Sequence, residues 1–65
     1  YYIDIYNDMI HVFRYVDILK LQDEEIILQM ENFQLDIKGN HFRVKRLENQ
    51  EILISGFLES VVFLR

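Results

Sequence analysis

Apolar and polar residues alternate along most of this 65-residue chain, in short runs of five to seven interrupted by polar breaks. The breaks fall at Asn7-Asp8, Gln22 to Glu25, Glu31-Asn32, Gly39-Asn40 and Glu48 to Gln50. A spacing of roughly 8 to 12 residues between turn signals is what many short strands produce. Phe33, Leu35 and Ile37 then share one face, with Gln34, Asp36 and Lys38 on the other; Phe42 and Val44 alternate with Arg43 and Lys45 in the same way. Ile26, Leu28 and Met30, then Ile52 and Ile54, continue the pattern. Ile, Val, Phe and Tyr, which suit a pleated, half-buried surface, supply 23 residues, while Pro, Ala and Thr are absent. The expected fold is all-β.

Gly39-Asn40 reads as the two-residue loop of a hairpin. That register sets Lys38 opposite His41, Ile37 opposite Phe42, Asp36 opposite Arg43 and Leu35 opposite Val44. One face is then apolar and the other carries an opposite-charge pair. Beyond Lys45 the alternation fails, because Leu47 is apolar where period two asks for Arg46, and a bulge or strand end at Lys45-Arg46 is expected. Upstream, Tyr2 to Tyr6 and Met9 to Arg14 read as strands joined by a tight turn at Asn7-Asp8. Ile10, Phe13, Val16 and Leu19 also fit a helical spacing, which leaves room for a helical turn near Tyr15 to Leu19. About seven short strands in one domain spanning residues 1–65 point to a small antiparallel β-sandwich or a partly closed barrel. No loop is long enough for a parallel crossover.

Composition narrows the function. With no cysteine there is no disulfide framework, thiolate metal site or thiol chemistry, which points to a reducing, intracellular setting. Eleven acids against seven bases give a net charge of −4, the wrong balance for gripping phosphates, so nucleic acid is not an expected partner. No apolar run approaches the roughly 20 residues of a membrane span. The first residue, Tyr1, reads as a processed or trimmed start.

No constellation for catalysis emerges. His11 and His41 lie 30 positions apart without a spacing motif; a metal needs three or more converging ligands. Asp23, Glu24 and Glu25 lack the alternation and glycine of a calcium loop and read as a turn. Ser55 and Ser60 have no nucleophile-elbow context, and two glycines cannot build a phosphate cradle. No cofactor is expected.

Two surface features carry the functional expectations. Lys38, Arg43, Lys45 and Arg46 form a basic patch on the expected hairpin, suited to peripheral contact with an anionic surface or polymer, or else solvated and paired with Asp36 and Glu48. The chain also has more apolar and aromatic residues than one core face absorbs: Tyr1, Tyr2, Tyr6, Phe13, Tyr15, Phe57, Val62 and Leu64 fall largely opposite the core series. Clustered on the surface, they would mark contact with a protein partner or a second copy. Tyr2, Tyr6, Phe57, Val62 and Leu64 are the expected interface residues.

From Asp23 to Phe63 the order and gaps of these elements resemble the YabP/YqfC family of bacterial sporulation proteins. The resemblance rests on Asp23-Glu24-Glu25-Ile26-Ile27-Leu28, on Phe33-x-Leu35-x-Ile37-Lys38-Gly39, on Phe42-x-Val44-x-x-Leu47, on Glu51-Ile52-x-Ile54-x-Gly56 and on Leu58-Glu59-Ser60-Val61. Ile3-x-Ile5-x-Asn7 through Val12 and Val16 is similar more loosely. The resemblance implies a small β domain from an endospore-forming Gram-positive bacterium, non-enzymatic, with a structural or morphogenetic role in the spore envelope or coat. Its implied location is the cytoplasm of mother cell or forespore, or the spore envelope. The two glycines, Gly39 and Gly56, match family positions and, with Asn40 beside the first, imply structural turns: positive φ at the hairpin, and a bulge or close approach before the last strand. The chain departs from the family at Arg14-Tyr15, where a glycine is frequent, and at Phe57 and Val62, where polar residues are usual.

Overall fold

A computed structural model describes residues 3–65; Tyr1 and Tyr2 lie outside the described residues, and with them the expectations placed on those two tyrosines. The described chain is all strand and turn: β1 (Ile3–Tyr6), β2 (Met9–Phe13), β3 (Asp17–Leu21), β4 (Glu25–Gln29), β5 (Gln34–Glu48) and β6 (Glu51–Leu64). They form one antiparallel sheet in the order β1-β2-β6-β5-β4-β3, and the two end strands do not pair to close it. Among the described residues no helix is long and apolar enough to cross a membrane.

Two of the breaks in alternation become tight hairpins. Asn7 and Asp8 both hold positive φ (47° and 60°), as do Asn49 and Gln50 (48° and 61°). Two consecutive left-handed residues match the right-handed twist of the flanking strands, which is why two-residue hairpins use them. Gln22 to Glu24 and Met30 to Phe33 make the other two reversals, closed by bonds from the Gln22 amide to the Glu25 carbonyl and from the Met30 amide to the Phe33 carbonyl. The stretch from Tyr15 to Leu19 enters strand β3 and forms no helical turn.

At Gly39-Asn40 the chain does not reverse, and this corrects the expected hairpin. Strand β5 runs through both residues, so Gly39 pairs with Leu58 and Asn40 with Phe57, while Asp36 pairs with Val62 and Arg43 with Ser55. The glycine serves a close approach instead. A Cβ on Gly39 would overlap the carbonyl oxygen of Phe57 and stand 2.7 Å from the Phe42 ring. Positive φ belongs to His41 (58°), where His41 and Phe42 bulge opposite Gly56. One continuous strand where two were expected gives six strands.

With 15 and 14 residues, β5 and β6 exceed the usual strand length of roughly 3 to 10. Shifts of register at Lys38/Gly39, Asn40/Arg43 and Val44/Arg46 bend the pair, since bulges add local twist. The last of them sits at Lys45, where the alternation of the sequence fails. The bend divides the sheet. Strands β1 and β2 join the first half of β6 and the second half of β5; β3 and β4 join the first half of β5, which pairs with the second half of β6. The two halves fold over one core. Ile10, Val12, Ile52 and Ile54 come from one, Ile26, Leu28, Leu35 and Ile37 from the other, and Phe42 and Met30 complete it. Each such aliphatic side chain stabilises the fold by roughly 1.5 to 3 kcal/mol on burial.

The segment from Arg14 to Val16 crosses between the halves. The Arg14 and Tyr15 amides donate to the Gln50 carbonyl (2.7 and 3.3 Å), and the Val16 amide donates to the Gln29 carbonyl (2.7 Å). Arg14 itself holds φ 63°, the left-handed conformation that glycine adopts most easily. Tyr15 turns toward the core and packs on it, so it does not belong to the outward-facing aromatic set.

Candidate interaction surface

Folding over leaves edges. Strand β4 covers β5 only between Gln34 and Lys38, so β5 from Arg43 onward is an edge; β2 covers β6 only from Glu51 to Ser55, so β6 beyond Ser55 is another. Strands β1 and β3 are the remaining two. Side chains on the inner faces of these edges are only half covered. Ile5, Leu21, Val44, Leu47 and Phe63 are therefore exposed although they pair with core positions or their direct neighbours.

Of the expected interface residues, Tyr6 and Phe57 come together. With Ile5, Met9 and Leu58 they line a cleft of about 440 Å³ where the Asn7-Asp8 turn approaches Gly56, whose amide donates to the Asp8 carbonyl (3.2 Å). Phe57 is 58% exposed, its ring nearly perpendicular to that of His41 with 6.1 Å between centroids. Val62 and Leu64 lie elsewhere, on the outer face of the other half, opposite Asp36 and Gln34. Leu64 borders a shallow cleft beside Phe33, whose ring is 5.4 Å from that of Phe63. The apolar surface is thus two patches joined by the edge of β6. At Gly56, with φ 141°, a Cβ would stand 2.7 Å from the Phe42 ring and 2.9 Å from the His41 carbonyl oxygen, so the bend leaves no room for a side chain.

The four basic residues are spread by the bend. Lys38 lies in one half, 4.0 Å from Glu25 Oε2 and 3.9 Å from Asp36 Oδ2. Arg43 reaches Asp23 at 3.4 Å and donates to the Phe42 carbonyl; Arg46 stands 3.6 Å from Glu48. Lys45 occupies the bulge. Three of the four cations thus have an acidic neighbour.

Periodicity did not reveal the cluster around Asp36. On the outer face, the central position of β5 puts Asp36 between Ile27 of β4 and Val62 of β6, and it is only 8% exposed. Its Oδ1 is buried without a hydrogen-bond partner. Burial raises its pKa, and the Glu25 carboxylate pushes the same way because a protonated Asp36 can donate to it; Lys38 and Lys20 oppose. Glu25 is held low, first by the hydrogen bond from Lys20 Nζ (2.5 Å), and Lys20 is raised by the same bond. No sequence signal marked Asp36, since a polar face on a hairpin predicts exposure. Its burial depends on the strands that pair with β5 on either side, β4 at Ile27 and β6 at Val62.

His11 Nε2 lies 3.2 Å from Glu51 Oε1, with the ring stacked 4.0 Å from that of Phe13; His41 Nδ1 lies 2.6 Å from Asn40 Oδ1. The two imidazoles are on different strands and do not converge. Among the described residues no three His, Cys, Asp or Glu side chains gather where a metal ion could sit.

No curated protein and no solved structure matches the chain. The model of the YabP family matches residues 6–65, a span that runs from the last residue of β1 through β6 and includes both glycines of the bend. By that match over nearly its whole length, the chain belongs to the YabP family.

Proposed function

We propose that this protein is a non-enzymatic sporulation protein with a structural or morphogenetic role in building the spore envelope or coat, acting through protein–protein contacts. Membership of the YabP family points to sporulation. The observation that carries the contact role is the density of large exposed apolar side chains, among them Phe57, Val62, Phe63 and Leu64 on the last strand, with Tyr6 beside Phe57. Scattered apolar residues are ordinary on a surface, but a run of them along one sheet edge marks an interaction site. The clefts are shallow and open, and His11, Lys20, Glu25, Asp36, Lys38 and Glu51 stand in ion pairs along the strands instead of converging on a reaction centre.

Light scattering after size exclusion, across a hundredfold range of concentration, tests this reading. The expected result is a mass that climbs with concentration for the unaltered chain and stays at one copy for a Phe57→Asp, Val62→Lys double variant. Both side chains are exposed, so the fold should survive the change. A variant of unchanged assembly mass defeats the proposal.

A further inference from the structure

We infer that the partner of the β6 edge is a second copy of this chain, bound as an antiparallel β6–β6 pair with Val62 on the twofold axis. The inference rests on the contact role proposed above and names the occupant and register of that surface.

Sheet edges recruit other strands unless something blunts them: shortness, charge, proline or a bulge. Three of the four edges carry such devices. Strand β1 has four residues and Asp4; β3 has Asp17, Lys20 and a shift of register between Ile18 and Lys20. The second half of β5 carries Arg43, Lys45, Arg46 and Glu48 around its bulge. On the β6 edge such devices stop at Glu59, the residue left over at the Lys38/Gly39 shift of register. Ser60-Val61-Val62-Phe63-Leu64 is uncharged, free of proline and in unbroken register with Lys38 to Gln34.

Self-complementarity selects the occupant. The only charged residues from Phe57 to the end of the described chain are Glu59 and Arg65, one on each side of Val62 and equally distant from it. A twofold axis through Val62 brings Glu59 of each copy, the extra residue at the shift of register and an acceptor for Asn40 Nδ2 at 3.4 Å, beside Arg65 of the other just past the end of the paired stretch. It also keeps faces matched: Val62 meets Val62 and Ser60 meets Leu64 on the outer face, while Val61 meets Phe63 on the inner one. Moving the axis to Val61 or to Phe63 preserves the faces but separates the charges. An isologous contact of this kind closes as a dimer. The β3-β4-β5-β6 half of one copy then continues into the same half of the other, and Phe63 keeps its ring against Phe33.

The chain has no cysteine, so single-cysteine variants report the register directly. Directly opposed strand residues have Cβ atoms about 4.5 to 5.5 Å apart, close enough for a disulfide after slight adjustment. Val62→Cys is expected to oxidise to a covalent dimer at least about tenfold faster than Lys45→Cys, because pairing raises its effective concentration. Glu59→Arg and Arg65→Glu are each expected to weaken the dimer by about tenfold by opposing like charges, and the double exchange to restore it. Equal oxidation rates at positions 62 and 45, or a double exchange no tighter than the single variants, overturns the inference. An unaltered chain that still assembles in that case leaves the contact role standing. A chain that remains a single copy throughout, yet loses a different protein partner on Phe57→Asp, overturns self-pairing alone.

Discussion

Gly39 of β5 lies so close to the carbonyl oxygen of Phe57 on β6 that no Cβ fits between them. This contact sits at the bend where the two long strands pass from one half of the sheet to the other, and the Phe42 ring fills the space beneath both Gly39 and Gly56.

Gly39→Ala is therefore expected to cost about 3 kcal/mol or more, because the obstacle is backbone and cannot rotate away. Urea unfolding followed by circular dichroism measures it. Gly56→Ala should be comparably damaging, since it adds a positive φ to a close approach. A loss under 1 kcal/mol in both variants would mean that the bend relaxes easily.

The Asn49-Gln50 turn places Gln50 at φ 61°, a conformation that costs a side-chain-bearing residue on the order of 1 kcal/mol. Its carbonyl, which accepts from Arg14 and Tyr15, is independent of the side chain. Gln50→Gly should stabilise the protein by about 0.5 to 1 kcal/mol, a little offset by the extra freedom of glycine in the unfolded chain, and Gln50→Val should destabilise it. Melting temperatures that fall for glycine would contradict the turn geometry.

Asp36 gives a dependence on pH. Its folded pKa lies above the unfolded one, chiefly through burial, so the folded state holds its proton longer and loses stability as pH rises from the ordinary carboxylate range through the raised value. Glu25 runs the other way: held low by Lys20, it contributes stability above the ordinary carboxylate range that is lost as pH falls through its lowered value. Asp36→Asn removes the first dependence and keeps a donor for Glu25. The variant should gain on the wild type between pH 4 and pH 7, and unfolding midpoints at the two pH values compare them directly. An equal difference at both would remove Asp36 as the cause.

Leu35→Ala tests the shared core. Leu35 is fully buried near the start of β5, between Leu28 of β4 and Phe63 of β6, and its removal should cost about 2 to 5 kcal/mol in equilibrium unfolding. One cooperative transition is expected, because both halves of the sheet lean on the same cluster. Two separate transitions would show the halves to be independent.

Local chemistry made much of this molecule legible in its sequence. Period-two alternation announced strands, Asn7-Asp8 and Glu48 to Gln50 announced reversals, and the misplaced Leu47 announced the bulge at Lys45. Those signals act between neighbours, and neighbours are what a sequence displays. Gly39-Asn40 carried the same local signature as a turn, yet the chain continues there. Only the tertiary structure decided that, because the backbone of Phe57 arrives from 18 residues away and occupies the space a Cβ would need. The same holds for Asp36 and for the edges. Ile27 and Val62 bury the carboxyl from two other strands, and the bend alone determines that β2 stops at Ser55 and leaves the end of β6 uncovered. Burial and exposure of that kind are properties of which strands become neighbours, and strand order is set by the packing of the whole core.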